Sequence, residues 1–202
     1  MKFEELDNVV LNSLSESSIQ GYNSIQEQLI HKLKQGRNCF ISLDHHLGVR
    51  TSLQFCSLIK APQAFEGSPR VLWITARPER AQMIVKELQD WTRRSEIAVE
   101  FADDKGKMIV QRNHIFEGAD IIVGNPKRIM DLYNQNGIHV NQLTFLIIDD
   151  ASEMCKNPVT LQQVKRVNES LPKCMKWVVT YGDHARLADF TDEICGFYDI
   201  IE

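Results

Sequence analysis

Short apolar runs alternate with amphipathic segments from Cys39 to the end of the chain, and this alternation limits the fold more than any other feature. The run Phe-Leu-Ile-Ile at residues 145–148 is apolar at every position. A strand wet on one side would alternate; one covered by helices on both faces, as in a parallel sheet, does not. The pattern predicts strands over residues 39–43, 71–75, 98–101, 121–123, 145–149, 177–180 and 198–201. Helices are expected over 24–34, 51–59, 78–91, 107–116, 127–134, 160–170 and 184–190. Pro78 opens its helix where a missing N–H costs least. Such alternation requires right-handed βαβ crossovers and an open, doubly wound sheet. Ligands of these sheets bind outside the carboxyl ends of the strands. Segments 44–51 and 149–152 both follow strand ends and so share one edge.

With 202 residues, 43% of them hydrophobic, the chain suits one α/β domain over 1–202 and no second domain. Its formal charge of -4 excludes a broadly cationic nucleic-acid coat and leaves room for a local basic face. The five cysteines form no C-x-x-C pair and read as reduced, mostly buried thiols. No apolar stretch reaches membrane-span length, the acidic start does not resemble a signal peptide, and a cytoplasmic location is expected. Trp73, Trp91 and Trp177 fall at core positions of their elements. His45-His46 lack a third ligand at helpful spacing and read as loop histidines. The segment 61–69, with two prolines and a glycine, reads as a loop excursion.

Residues 44–51, Asp-His-His-Leu-Gly-Val-Arg-Thr, lie between a predicted strand and helix. There, free backbone N–H groups and the helix dipole make an anion cradle. A phosphate loop of the form G-x-x-x-x-G-K-[ST] adds glycines for close approach, a Lys for the terminal phosphates and a hydroxyl for Mg²⁺. Arg50-Thr51 occupy the Lys-Thr positions, whereas Asp44 and Val49 fall on the two glycines and Gly48 is displaced by one place.

Further motifs occur in a fixed order. Phe3-Glu4-Glu5-Leu6 is followed by Ile25-Gln26, then Thr75-Ala76-Arg77 and Gln82. Gly118-Ala119-Asp120-Ile121-Ile122-Val123-Gly124 leads into Asn125-Pro126-Lys127-Arg128. Ile147-Ile148-Asp149-Asp150-Ala151-Ser152-Glu153-Met154 and Thr180-Tyr181-Gly182 complete the series. By order and spacing the chain resembles the first RecA-like domain of a DEAD-box RNA helicase. The corresponding family patterns are the upstream aromatic with its adenine-reading Gln, A-x-x-G-x-G-K-T, P-T-R-E-L-A-x-Q, G-A-D-I-V-V-G-T-P-G-R, V-L-D-E-A-D-x-M and S-A-T. The resemblance implies a RecA-like P-loop NTPase fold: a mostly parallel sheet with helices on both faces, in three layers.

It also implies roles. Gln26, Gly48, Arg50 and Thr51 would hold ATP; Thr51 and Asp149 would hold Mg²⁺; Asp149 and Asp150 would be the catalytic carboxylates. Arg77, Asn125, Pro126, Lys127 and Arg128 would grip the RNA backbone, with Lys127 at a helix N-terminus. Several departures weaken the engine. Asp150 is one methylene shorter than the family's Glu, which misplaces an attacking water by ~1 Å. Arg50 replaces a compact ammonium by a planar fork. Val49, if it took the glycine's positive φ, would cost ~1–3 kcal/mol. Ser152 removes the last acidic residue, and Ala102-Asp103-Asp104, where the family contacts RNA with glycines, would repel phosphate unless Lys105 and Lys107 offset it. The expectation is a domain with weak or regulatory nucleotide and RNA binding and reduced or lost ATPase and helicase activity. Its cofactors would be ATP and Mg²⁺, or none. Two alternatives stay open: a protein-interaction module on the same scaffold, and one half of a split ATP-dependent helicase.

Overall fold

The computed structural model describes residues 11–12, 21–44, 47–63 and 68–202. The Phe3–Leu6 motif, His45-His46 and residues 64–67 of the 61–69 loop lie outside the described residues. Seven parallel strands form one sheet in the order β3-β4-β2-β5-β6-β1-β7. They are β1 (Cys39–Ser42), β2 (Val71–Thr75), β3 (Val99–Ala102), β4 (Ile121–Gly124), β5 (Phe145–Asp149), β6 (Met175–Thr180) and β7 (Asp199–Ile201). From residue 24 onward the helices are α1 (Ser24–Lys34), α2 (Val49–Lys60), α3 (Pro78–Thr92), α4 (Met108–Glu117), α5 (Pro126–Asn134), α6 (Ala151–Lys156), α7 (Pro158–Glu169) and α8 (Leu187–Cys195). With the sheet between two helical layers, this is the three-layer RecA-like arrangement expected.

Alternate residues of each strand feed opposite cores. On one face Trp73, Phe145 and Trp177 pack with Leu29, Leu53, Phe55 and Leu88 of α1, α2 and α3. Phe145 and Trp177 meet edge-on, with centroids 5.1 Å apart. On the other face Leu72, Ile74, Leu146, Ile148 and Val178 pack with Leu132, Met154, Val164 and Phe190. All three tryptophans are buried, as expected of core residues. The five cysteines are free thiols, and burial is the main reason Cys39 and Cys195 are pushed up to about 12. No helix among the described residues is long and apolar enough to cross a membrane.

Helix starts differ most from expectation. α5 and α7 begin at Pro126 and Pro158, earlier than the predicted 127 and 160, because Asn125 and Asn157 cap them and proline suits the first turn. α2 begins at Val49, with Gly48 at φ 77° before it. α6, six residues long, is too short to show a helical period. α8 runs three residues later at its start than predicted and stops before Gly196, whose φ is 65°.

The β4–α5 turn is set by close packing. A Cβ on Gly124 would stand 2.6 Å from the Ala102 carbonyl oxygen and 2.7 Å from its Cβ. Only glycine lets β4 end this close to β3. Gly124→Ala is expected to destabilise the chain by about 1–3 kcal/mol, lowering the urea midpoint at unchanged m-value; a neutral substitution contradicts this packing.

Candidate nucleotide and nucleic-acid site

β5 lies between β2 and β6, and Asp149 at its carboxyl end stands in register with Thr75 and Val179. Asp149 is fully buried, so its charge must be matched by donors. Arg80, in the first turn of α3, supplies them: Nε lies 2.6 Å from Oδ2 and Nη2 3.1 Å from Oδ1. Trp73 Nε1 donates a third bond to Oδ2, 3.3 Å long. The Arg80 guanidinium also lies 4.4 Å from the Tyr181 ring centroid and donates to its hydroxyl. Burial works against the Arg80 charge, but Asp149 outweighs it and raises its pKa. Burial, reinforced by the Asp149 charge, raises Tyr181 far above the ordinary phenol range, so it stays a neutral hydroxyl.

Asp150 is buried as well, in a left-handed conformation at φ 67° and ψ 48°. Arg77, the residue just before α3, places Nε 2.6 Å from its Oδ2, with side-chain exposures of 51% and 2%. The approach is off-line, for that oxygen accepts no hydrogen bond, and the contact is an ion pair by distance alone. Burial pushes the Asp150 carboxyl above the ordinary range, and Arg77 only partly opposes it. Thus the N-terminal end of α3 sends one arginine to each of the tandem carboxylates.

The phosphate-loop positions are also engaged within the chain. Gly48 takes the positive φ, so Val49 is not strained: it begins α2 and turns into the core. The expected backbone penalty at Val49 is therefore absent, because the displaced glycine already carries the turn. Arg50 Nη2 binds Glu87 Oε1 of α3 at 2.9 Å, while Gln54 Nε2 binds Glu87 Oε2 at 2.7 Å. Thr51 is half-buried on the first turn of α2. Gln26 forms a capping box with Asn23: its Oε1 accepts the Asn23 N–H at 2.8 Å, and its own N–H goes to Asn23 Oδ1 at 2.8 Å.

Around the β4–α5 turn the residues divide. Asn125 Oδ1 caps Arg128 N at 2.9 Å, and its amide reaches Asp104 Oδ1 at 3.2 Å. Pro126 is buried at the first helical position, and Lys127 is exposed. Arg128 turns inward, 5% exposed, and its Nη2 binds the Gly106 carbonyl at 2.8 Å. Its guanidinium ties down the 103–107 turn and is not presented to solvent. A cleft of about 270 Å³ runs between this turn and α7, lined by Ala76, Asn125, Lys127, Asp104, Glu153 and Thr160 among others.

ATP with Mg²⁺, implied by the resemblance, does not fit this arrangement. Both oxygens of the metal carboxylate already hold donors, and the cation at the phosphate-Lys position turns to Glu87. The sequence reading gives Arg80 no role, and names Tyr181 only within Thr180-Tyr181-Gly182. A signal for Arg80 was present: it precedes buried Ile84 by one helical turn, and a charge on an apolar stripe implies a buried counter-ion.

Fold and site together define a helicase-type RecA-like domain, with candidate nucleotide and nucleic-acid positions along one sheet edge. Residues 23–181 match the family model for the DEAD/DEAH box helicase, and the chain belongs to that family. It is 26% identical over 176 residues to the DEAD-box ATP-dependent RNA helicase CshA of Streptococcus pneumoniae, covering 86% of this chain and 33% of that protein. It is 31% identical over 87 residues to human ATP-dependent RNA helicase DDX50, covering 43% of this chain and 12% of that one. S. cerevisiae Dbp5 bound to RNA and ADP BeF3 superposes with a TM-score of 0.84 at 19% identity, over 100% of this chain and 51% of Dbp5. A hypothetical ATP-dependent RNA helicase from Sulfolobus tokodaii gives 0.84 at 16% identity, over 98% and 57%. The chain thus spans a third or less of these curated relatives and about half of these structures.

A pH dependence follows from Asp150. Its folded pKa is raised, so ionising it penalises the native state as pH rises through that value, and the penalty is absent below the ordinary 3.8. Asparagine carries no charge and tolerates left-handed backbone. Asp150→Asn is expected to melt above the parent at neutral pH, with the gap narrowing as pH falls toward 3.8. A lower melting point at neutral pH, or a gap indifferent to pH, contradicts this.

Proposed function

We propose that this chain is a single RecA-like unit of DEAD-box type that binds the RNA sugar-phosphate backbone weakly and no longer turns over ATP. The observation that carries the reading is the division of the arginines. Arg50 and Arg80 are spent on Glu87 and Asp149 inside the nucleotide region. Arg77, although ion-paired with Asp150, keeps 51% of its side chain exposed near the cleft beside exposed Lys127. Asp104 and Glu153 line the same cleft, so the net attraction for phosphate is small and the binding salt-sensitive. Any nucleotide held beside Gln26 and Thr51 would be bound without an oriented attacking water, because Asp150 is buried against Arg77. The free thiols suit a reducing cytoplasm.

A second reading, a protein-interaction module, is favoured by Phe197, just before the edge strand β7, and Ile200 within it, 99% and 62% exposed.

Two measurements separate these readings. With single-stranded RNA at saturation, phosphate release is expected to match the protein-free blank; turnover near the ~1 s⁻¹ lower range of ordinary enzymes overturns the lost-engine reading. In an RNA titration at several salt concentrations, Lys127→Ala is expected to weaken binding and flatten the salt slope by about one unit. An unchanged affinity and slope would remove the RNA reading and leave the interaction module.

A further inference from the structure

We propose that Arg80 is a resident cation that takes the place of a divalent metal at Asp149, and that Tyr181 clamps it there. Arg80 falls on the alanine of P-T-R-E-L-A-x-Q, and Tyr181 on the alanine of S-A-T. Two small residues of the family pattern have become two large ones, and these two touch. Together with Asp149 these two side chains close one buried polar cluster at the carboxyl edge of the sheet.

The geometry makes the carboxylate exclusive. Mg²⁺ needs oxygen ligands at about 2.0–2.1 Å in near-octahedral array and keeps several waters. Here Oδ1 and Oδ2 face a planar fork at 3.1 and 2.6 Å, and Trp73 Nε1 covers Oδ2 at 3.3 Å. A metal could enter only by expelling the guanidinium. That group has a second attachment, the face and hydroxyl of Tyr181, and its side chain is 14% exposed. A bidentate, partly desolvated ion pair is the form in which arginine holds a carboxylate most firmly. The strut also joins α3, β5 and β6 at the edge where ligands of this fold would bind. The inference rests on this geometry and stands whether or not RNA binds.

Thermal melts and Mn²⁺ electron paramagnetic resonance test it, with Mn²⁺ alone and Mn²⁺ plus ADP as probes. The wild-type chain is expected to melt at the same temperature in Mn²⁺ and in EDTA, and to leave the free-ion signal undiminished beyond an ADP-only control. Arg80→Ala strands Asp149, and its midpoint should fall by roughly 6–20 °C in EDTA. Adding Mn²⁺ should then recover part of the loss and deplete the free-ion signal. Arg80→Ala/Asp149→Ala should recover without metal and ignore it. If Arg80→Ala does not fold, Arg80→Gln keeps side-chain bulk without the charge and gives the same readout. Wild-type Mn²⁺ binding that disappears in Asp149→Asn would overturn the proposal. So would an Arg80 variant that remains indifferent to metal.

Discussion

Asp149 ends the strand at the middle of the sheet, and a carboxylate wholly out of water there must be matched by donors or it destabilises its surroundings. Arg80 provides the match, and much of the neighbouring arrangement follows from it. To deliver a fork at hydrogen-bonding distance, α3 must begin directly after β2 with its first turn over β5. That placement brings Arg77 onto Asp150 and puts Glu87, two turns further along α3, in reach of Arg50 and Gln54 of α2. Breaking such a buried pair by removing one partner generally costs about 3–5 kcal/mol, chiefly because the other charge is left stranded. Asp149 is therefore held as one half of a buried ion pair within the fold.

This reverses the usual logic of a sheet edge that binds nucleotides. Such an edge keeps charges available, so that ligand and metal complete the coordination. Here the chain completes it with its own side chains. The Arg50–Glu87 pair is about one-third exposed on each side and contributes little to stability, but it directs the one cation of the phosphate loop away from the cradle. Val49, expected to obstruct by strain, instead anchors the first turn of α2 in the core. The altered residues thus redirect positive charge more than they block space.

Much of the scaffold was legible from the chain. β2, β5 and α1 were read to the residue, since each is an apolar or amphipathic run bounded by polar residues, prolines or glycines. The free, buried character of most cysteines followed from their spacing. The site was legible by position and not by contact. Asp149, Asp150, Arg50 and Arg77 do gather along the predicted edge, yet no spacing in the sequence states that Arg50 turns to Glu87 or Arg77 to Asp150. Arg128 illustrates the difficulty. It reads as a cation on an exposed turn, but Ile129 and Leu132 beside it are buried, and its guanidinium closes the 103–107 turn. Arg80 obeys the same rule on α3. A long cation on the apolar stripe of a helix points to an internal partner, and only the topology reveals which acid that partner is.

Equilibrium dialysis of labelled ATP against the purified chain, once with excess Mg²⁺ and once with EDTA, probes most directly whether these carboxylates are already occupied by arginine. The account predicts equal retention in the two buffers, whether that retention is small or nil. Retention that appears only with Mg²⁺ and is lost in Asp149→Asn would contradict it.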